Sequence, residues 1–185
     1  MGDHYEARFA AVGGQGILLA GDILAEAAIV YEGKFALDSP TYTAQVRGGP
    51  TKVDVIIDSK VIQFPRTTAI DFMLCLAQRS WNQYAHDLKQ DCIVLIDPFL
   101  VHDVDERYRV FRMPLIEMTK KAMRKMIYTS AVSLGAMIGL TGALKPDSVK
   151  SALLDKAPKG TESENIRAFD LGYEAGKDML QQRQV

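Results

Sequence analysis

Residues 8–24 constrain the fold of this 185-residue chain more than any other stretch. Behind Arg8, the apolar run Phe9-Ala10-Ala11-Val12 is too short for a helix and meets Gly13-Gly14-Gln15-Gly16. Apolar residues then recur at helical spacing through Ile17, Ala20, Leu24 and Ala28. The pattern predicts strand, tight loop, helix. Glycines allow the reversal and leave room for another group to approach the main chain. The unpaired N–H groups of the following helix, with the positive end of its dipole behind them, make such a corner attractive to anions, phosphates above all. The dinucleotide fingerprint G-x-G-x-x-G is met only in part, because Leu19 holds the place of the last glycine; Asp38 falls near the expected ribose-binding acid. Three readings follow: a dinucleotide site, a strand-to-helix turn that needs small residues, and a corner for a phosphate-bearing ligand or a partner surface.

Composition narrows the class. With 48% hydrophobic residues, 24% charged residues and a formal net charge of -1, residues 1–185 are expected to form one globular domain whose main partner is neither nucleic acid nor an anionic membrane. The polar start, Met1 to Glu6, lacks the basic segment and apolar stretch of a signal peptide. Glu6 stands where a myristoylation signal needs Ser or Thr, so a cytoplasmic protein is expected. Cys75 and Cys92 lie inside apolar runs and read as core residues, and without any C-x-x-C the chain is not expected to hold an iron–sulfur cluster or zinc by itself. No catalytic constellation stands out. His4, His86 and His102 read as surface residues, and Asp97, Asp103 and Asp105 as a solvated turn.

Further along, residues 34–38 read as a second strand and residues 39–50, rich in turn formers, as a long loop containing Tyr42, Val46 and Arg47. Alternation at Val53, Val55 and Ile57, followed by residues 60–64, suggests a hairpin. Residues 71–77 and 92–96 are continuous apolar runs suited to central parallel strands, with a polar helix over 78–90 between them. A short strand at 108–112 and an amphipathic, Met-bearing helix over 115–126 follow. Residues 131–140 are strongly apolar yet shorter than a membrane span, and Gly135 and Gly139 would let that buried helix approach a neighbour closely. Pro146 opens a helix running to Lys156, Thr161-Glu162-Ser163-Glu164 is a capping box, and the final helix interleaves Phe169 and Tyr173 with Gly172 and Gly176.

This alternation predicts an α/β protein: a three-layer, doubly wound, mostly parallel sheet with an added antiparallel hairpin. In such sheets ligands bind beyond the carboxyl ends of the strands, which is where the 13–16 and 39–49 loops leave. Arg47 beside Gly48-Gly49 is then the best-placed fixed cation for a phosphate or carboxylate; otherwise it is an ordinary surface arginine.

Val12-Gly13-Gly14-Gln15-Gly16, Arg47-Gly48-Gly49 after a Tyr-bearing loop, Leu134-Gly135-Ala136, and Asn165-Ile166-Arg167-Ala168-Phe169 with Gly172 resemble, in order, the gamma subunit of 2-oxoacid:ferredoxin oxidoreductases. The chain departs from many relatives at Tyr42-Thr43-Ala44-Gln45, where Tyr-Gly-Pro-Glu is frequent, and at Ser130, where Asn is common. The resemblance implies an enzyme that decarboxylates a 2-oxoacid on thiamine diphosphate, passes electrons through iron–sulfur clusters to ferredoxin and forms an acyl-coenzyme A. Thiamine diphosphate, Mg and the clusters are then expected on alpha, beta and ferredoxin-like delta subunits, leaving this chain inactive alone and able to self-associate. Its expected contribution to binding is Gly13, Gly14, Gln15, Gly16, Tyr42, Arg47, Gly48 and Gly49, facing the co-substrate coenzyme A, the thiamine diphosphate side of the active site or only a partner subunit. The implied substrate is first 2-oxoglutarate, then pyruvate, 2-oxoisovalerate or indolepyruvate. The alternatives from other classes are a self-sufficient dinucleotide-dependent reductase and a noncatalytic nucleotide-binding module.

Overall fold

The opening apolar run becomes the third of six strands in a computed structural model, which describes residues 4–13, 16–41 and 48–183. The strands are β1 (His4–Val12), β2 (Phe35–Thr41), β3 (Pro50–Asp58), β4 (Ile70–Cys75), β5 (Leu88–Ile96) and β6 (Arg109–Arg112), in the order β2-β3-β1-β4-β5-β6. β1, β4, β5 and β6 run parallel to one another, whereas β3 runs antiparallel to both β1 and β2. This is the expected α/β sheet with an antiparallel addition.

The hairpin, however, is made by a different pair of segments. β2 runs on through Ser39-Pro40-Thr41 and pairs with β3, while residues 60–64 form no strand. The physical reason is burial: Val61 and Phe64 are 67% and 60% exposed, so the apparent alternation has no core to face.

Alternation along the strands serves two cores. Phe9, Phe72, Leu74 and Leu95 face a layer built from α1 (Ile17–Glu26), α3 (Leu115–Met123), α4 (Thr129–Thr141), α5 (Pro146–Lys156) and α6 (Glu162–Gln182). Ala10, Met73, Cys75 and Val94 face the opposite way, toward Trp81 and Tyr84 of α2 (Gln78–Tyr84). Both cysteines are buried, and burial pushes each thiol up to about 12.

α1 continues as one π-helical turn, Ala27–Tyr31, before Gly33 reverses the chain. α2 is much shorter than the 78–90 helix its periodicity suggests. Its last carbonyl is taken by a distant cation, since Arg8 donates to Tyr84 O at 2.8 Å and to His86 O at 2.9 Å; Asp87 then adopts a left-handed conformation and β5 begins. Arg124, at φ 57°, likewise ends α3 before residue 126, and Met126–Tyr128 form a separate 3₁₀ turn. Asp97 does not sit in a solvated turn. It is fully buried and accepts from Phe99 N at 3.0 Å and from Ile116 N at 2.9 Å, capping α3 from the end of β5. Thr161 is no capping-box acceptor for Glu164: its hydroxyl donates to Pro158 O at 2.7 Å and accepts from Asn165 Nδ2 at 3.0 Å.

α4 and α6 pack closely against each other. A Cβ placed on Gly135 would lie 2.0 Å from Phe169 O, and one on Gly172 would lie 1.9 Å from Val132 O. Gly139 and Gly176 repeat the relation one turn on, at 2.3 Å from Tyr173 O and 2.5 Å from Ala136 O. The small-residue spacing read in the sequence therefore marks a helix contact in which backbone meets backbone. Among the described residues no helix is long and apolar enough to cross a membrane.

Candidate functional site

The glycine corner and the end of the 39–49 loop meet because of strand register. Val12 stands opposite Pro50 and Thr41 opposite Lys52, so β1 and β2 end, and β3 begins, on one edge of the sheet. Gly13 N donates to Gly49 O at 3.3 Å, extending the β1–β3 ladder one step into the loops. Three side-chain hydrogen bonds fix this edge from below: Ser80 Oγ to Ala11 O at 2.6 Å, Thr51 Oγ1 to Ala11 O at 3.3 Å, and Tyr84 OH to Pro50 O at 3.2 Å.

Gly16 enters α1 at φ 74°, a left-handed conformation that favours glycine, and its carbonyl accepts from Ala20 N at 3.3 Å. Among the described residues no side chain caps α1, and no acidic residue lies in its first turn. A Cβ on Gly16 would stand 3.5 Å from Ser130 Cβ, in the first turn of α4, so the positive ends of two helices adjoin at this corner. Such an end holds an oxyanion through main-chain N–H groups without any titratable side chain.

Of the expected binding residues, the structure brings Gly13, Gly16, Gly48 and Gly49 to this edge. Gly14, Gln15, Tyr42 and Arg47 lie outside the described residues. The geometry is unlike a dinucleotide fold in two respects. Asp38 sits in the middle of β2, which β3 separates from β1, so no acidic residue closes β2 beside the corner. Close packing of α1 on the sheet falls to Gly21, where a Cβ would lie 2.7 Å from both Val53 methyl carbons, rather than to position 19, whose leucine is exposed. Among the described residues no group of three or more His, Cys, Asp and Glu side chains could hold a metal ion.

Sequence reasoning missed one polar cluster. Arg8, 1% exposed, binds Asp54 through Nε–Oδ1 at 2.7 Å and Nη2–Oδ2 at 2.9 Å, and Thr67 Oγ1 adds a hydrogen bond to the same carboxylate at 2.7 Å. Burial pushes the Asp54 carboxyl up, but the Arg8 hydrogen bonds and charge outweigh it and hold the group below the usual carboxylate range. The available signal was an arginine inside an apolar strand, with an aspartate in alternation on another.

Comparison with known proteins places this architecture. The family model described as pyruvate ferredoxin/flavodoxin oxidoreductase matches residues 6–175. 2-Oxoglutarate synthase subunit KorC of Methanocaldococcus jannaschii is 36% identical over 179 residues, covering 94% of this chain and 95% of that one. Pyruvate synthase subunit PorC of the same organism is 30% identical over 172 residues, covering 91% and 94%. The crystal structure of the keto/oxoacid ferredoxin oxidoreductase gamma subunit from Geobacter sulfurreducens PCA superposes with a TM-score of 0.88 at 35% identity, covering 96% of this chain and 99% of that one. The chain belongs to the pyruvate ferredoxin/flavodoxin oxidoreductase family and is a gamma-type subunit of a 2-oxoacid:ferredoxin oxidoreductase.

Proposed function

We propose that this chain is the gamma subunit of a 2-oxoglutarate:ferredoxin oxidoreductase, in which 2-oxoglutarate loses CO₂, its acyl group passes to coenzyme A as succinyl-coenzyme A, and the electrons released reduce ferredoxin. The observation that carries the substrate is the higher identity to the M. jannaschii relative named for 2-oxoglutarate than to the one named for pyruvate, 36% against 30%, over nearly the whole chain in both cases. In this reading alpha, beta and ferredoxin-like delta subunits carry thiamine diphosphate, its magnesium ion and the iron–sulfur clusters. The thiamine cofactor supplies the carbanion-stabilising chemistry of decarboxylation.

This chain contributes an anion-binding corner to the assembled enzyme. In this reading Gly13 and Gly16 at the start of α1 and Gly48 and Gly49 of the facing loop form the corner, and Gly14, Gln15, Tyr42 and Arg47, from the same two stretches of sequence, complete its binding set. The hydrogen bond between Gly13 and Gly49 supports this pairing of loops. A coenzyme A phosphate suits such a corner, because helix N–H groups and an arginine both favour a doubly charged oxyanion.

The test is co-expression with the neighbouring subunits, followed by ferredoxin or viologen reduction with 2-oxoglutarate, pyruvate, 2-oxoisovalerate and indolepyruvate in turn. The expected outcome is activity only in the complex, with kcat/KM highest for 2-oxoglutarate. One charge-assisted contact contributes about 1.5–3 kcal/mol, so Arg47→Ala in an assembled complex should raise KM for coenzyme A about tenfold or more. Unchanged coenzyme A dependence in that variant makes the corner structural, and full turnover by the isolated chain overturns the subunit reading.

A further inference from the structure

The face of the sheet opposite the five helices is incompletely covered, because α2, with seven residues, is the only helix on it among the described residues. Beside α2 the strands β2, β3 and β1 present three cross-strand rows: Leu37 against Ile56, Ser39 against Asp54 and Arg8, and Thr41 against Lys52. Residues 65–67 and 86–87 close over these rows and leave a cleft of about 270 Å³.

The floor of the cleft is chemically saturated. All five Arg8 N–H donors are used: on Asp54 Oδ1 and Oδ2, on Tyr84 O, on His86 O, and on Thr67 Oγ1 at 3.2 Å. Asp54 accepts from Arg8, Thr67 and Lys52, so its lone pairs are largely spent as well. What remains on the walls is an excess of donors. Lys52 retains two further N–H groups beyond its bond to Asp54. The exposed Arg66 guanidinium and the hydroxyls of Ser39 and Thr41 have no protein partner among the described residues. On the rim, Asp87 is engaged by His86 Nδ1 at 2.7 Å, and Arg8 and Asp54 cancel as a pair. With Asp87 counted, three cations, Arg8, Lys52 and Arg66, face two carboxylates, Asp54 and Asp87, so the lining keeps one positive charge in excess, together with the two hydroxyls.

We propose that this cleft is an oxyanion-binding site, taking a small carboxylate or phosphate group, with Lys52 and Arg66 supplying charge and Ser39 and Thr41 supplying hydroxyl hydrogen bonds. The buried Arg8–Asp54 pair is the platform that fixes Lys52, since Asp54 holds its ammonium in place from below. The site lies across the sheet from α1 and is independent of the coenzyme A reading of the glycine corner.

Calorimetric titration of the full chain with inorganic phosphate and, separately, with succinate, at ionic strength held constant with chloride, tests the assignment. Saturable binding of at least one anion is expected: phosphate alone identifies a phosphate-bearing ligand, succinate alone a carboxylate, and competition between them a site that accepts either. Arg66→Ala removes an exposed side chain without touching the buried network, and should weaken binding about tenfold or more while leaving the melting temperature nearly unchanged. A Ser39→Ala, Thr41→Val double variant should weaken it by a smaller factor. An anion seated instead at the glycine corner would bind all these variants like the wild type. That result, or the absence of saturable binding by both anions, overturns the proposal.

Discussion

Substituting Gly172 by alanine isolates the α4–α6 crossing with a single methyl group. The added Cβ would stand 1.9 Å from Val132 O and 2.8 Å from Ala136 N, both backbone atoms of α4 that cannot swing aside like a side chain. Ordinary carbon–oxygen contact begins near roughly 3.3 Å, so the helices must part by more than about 1 Å at that point. Gly135 faces the same crossing from the other side, with Phe169 O 2.0 Å from its would-be Cβ, so separation at one glycine opens space at the other. Overpacking typically costs about 1–3 kcal/mol, and a rigid obstacle places this site at the upper end. Against it, alanine is favoured over glycine within a helix by about 1 kcal/mol. The net expectation is destabilisation of about 2 kcal/mol, or a melting temperature lower by about 4–8 °C for a chain of this size. Thermal and urea unfolding of Gly172→Ala, with Gly135→Ala as the reciprocal variant, measure it. A melting point that stays level or rises, as helix propensity alone dictates, refutes close backbone packing between α4 and α6.

Two further outcomes test the buried and surface electrostatics. Arg8→Met leaves the Asp54 carboxylate buried without its main partner and should lower stability by about 3–5 kcal/mol in urea titration, whereas Arg8→Met with Asp54→Leu should recover much of that loss; equal losses in the two proteins would mean the pair is not coupled. His4 bridges Glu6, Nε2 to Oε1 at 3.0 Å, and Asp58, Nδ1 to Oδ2 at 2.7 Å, and these hydrogen bonds, that to Glu6 first, raise its pKa above 6.5. A group raised in the folded state stabilises fully below its unfolded pKa, so that contribution should fade as pH climbs from about 6 through the raised value. The difference in melting temperature between wild type and His4→Gln should therefore shrink over that interval, and a difference that is constant with pH contradicts a charged bridge.

What the sequence made legible is mostly what local backbone and one-dimensional periodicity control. The turn at Gly16 is read from residues that adjoin it, and it needs only glycine's left-handed conformation. The small-residue face of α4 is likewise visible, because Gly135 and Gly139 are one helical turn apart. Failures occur where a contact distant in sequence overrides local preference. Residues 78–90 carry a helical pattern in Trp81, Tyr84 and Leu88, yet α2 stops where Arg8, 76 residues earlier than Tyr84, takes the carbonyl that would have continued it. Asp97 looks like a turn residue beside Pro98 until α3 is seen to bring Ile116 N to its carboxylate. Residues 60–64 alternate well enough for a strand, but β3 already has two partners, β1 and β2, and no third side on which to pair.

The glycine corner shows how a hairpin made by other segments than expected can still bring Gly13 and Gly49 to one edge of the sheet. Any strand that runs parallel to β1 delivers its carboxyl end to the edge where β1 ends, whether it is reached by a helical crossover or by two successive antiparallel steps. β2 takes the second route: β3 reverses direction relative to β2, and β1 reverses it again. The 39–49 loop therefore leaves the edge that holds Gly13 even though the hairpin involves different residues from those the alternation favoured. The antiparallel route adds something that a parallel crossover could not. It sets Pro50 directly opposite Val12, so the residue before Pro50 in the chain faces the residue after Val12, and Gly49 O meets Gly13 N at 3.3 Å. The two glycine-bearing loops are thus continuations of one ladder, and their spacing is fixed by the sheet rather than by the loops themselves. A change that slips the β1–β3 register by one residue would separate Gly13 from Gly49 and at the same time turn Val53 and Val55 from the helical core toward the open face, so selection for the core and selection for the corner act on the same register.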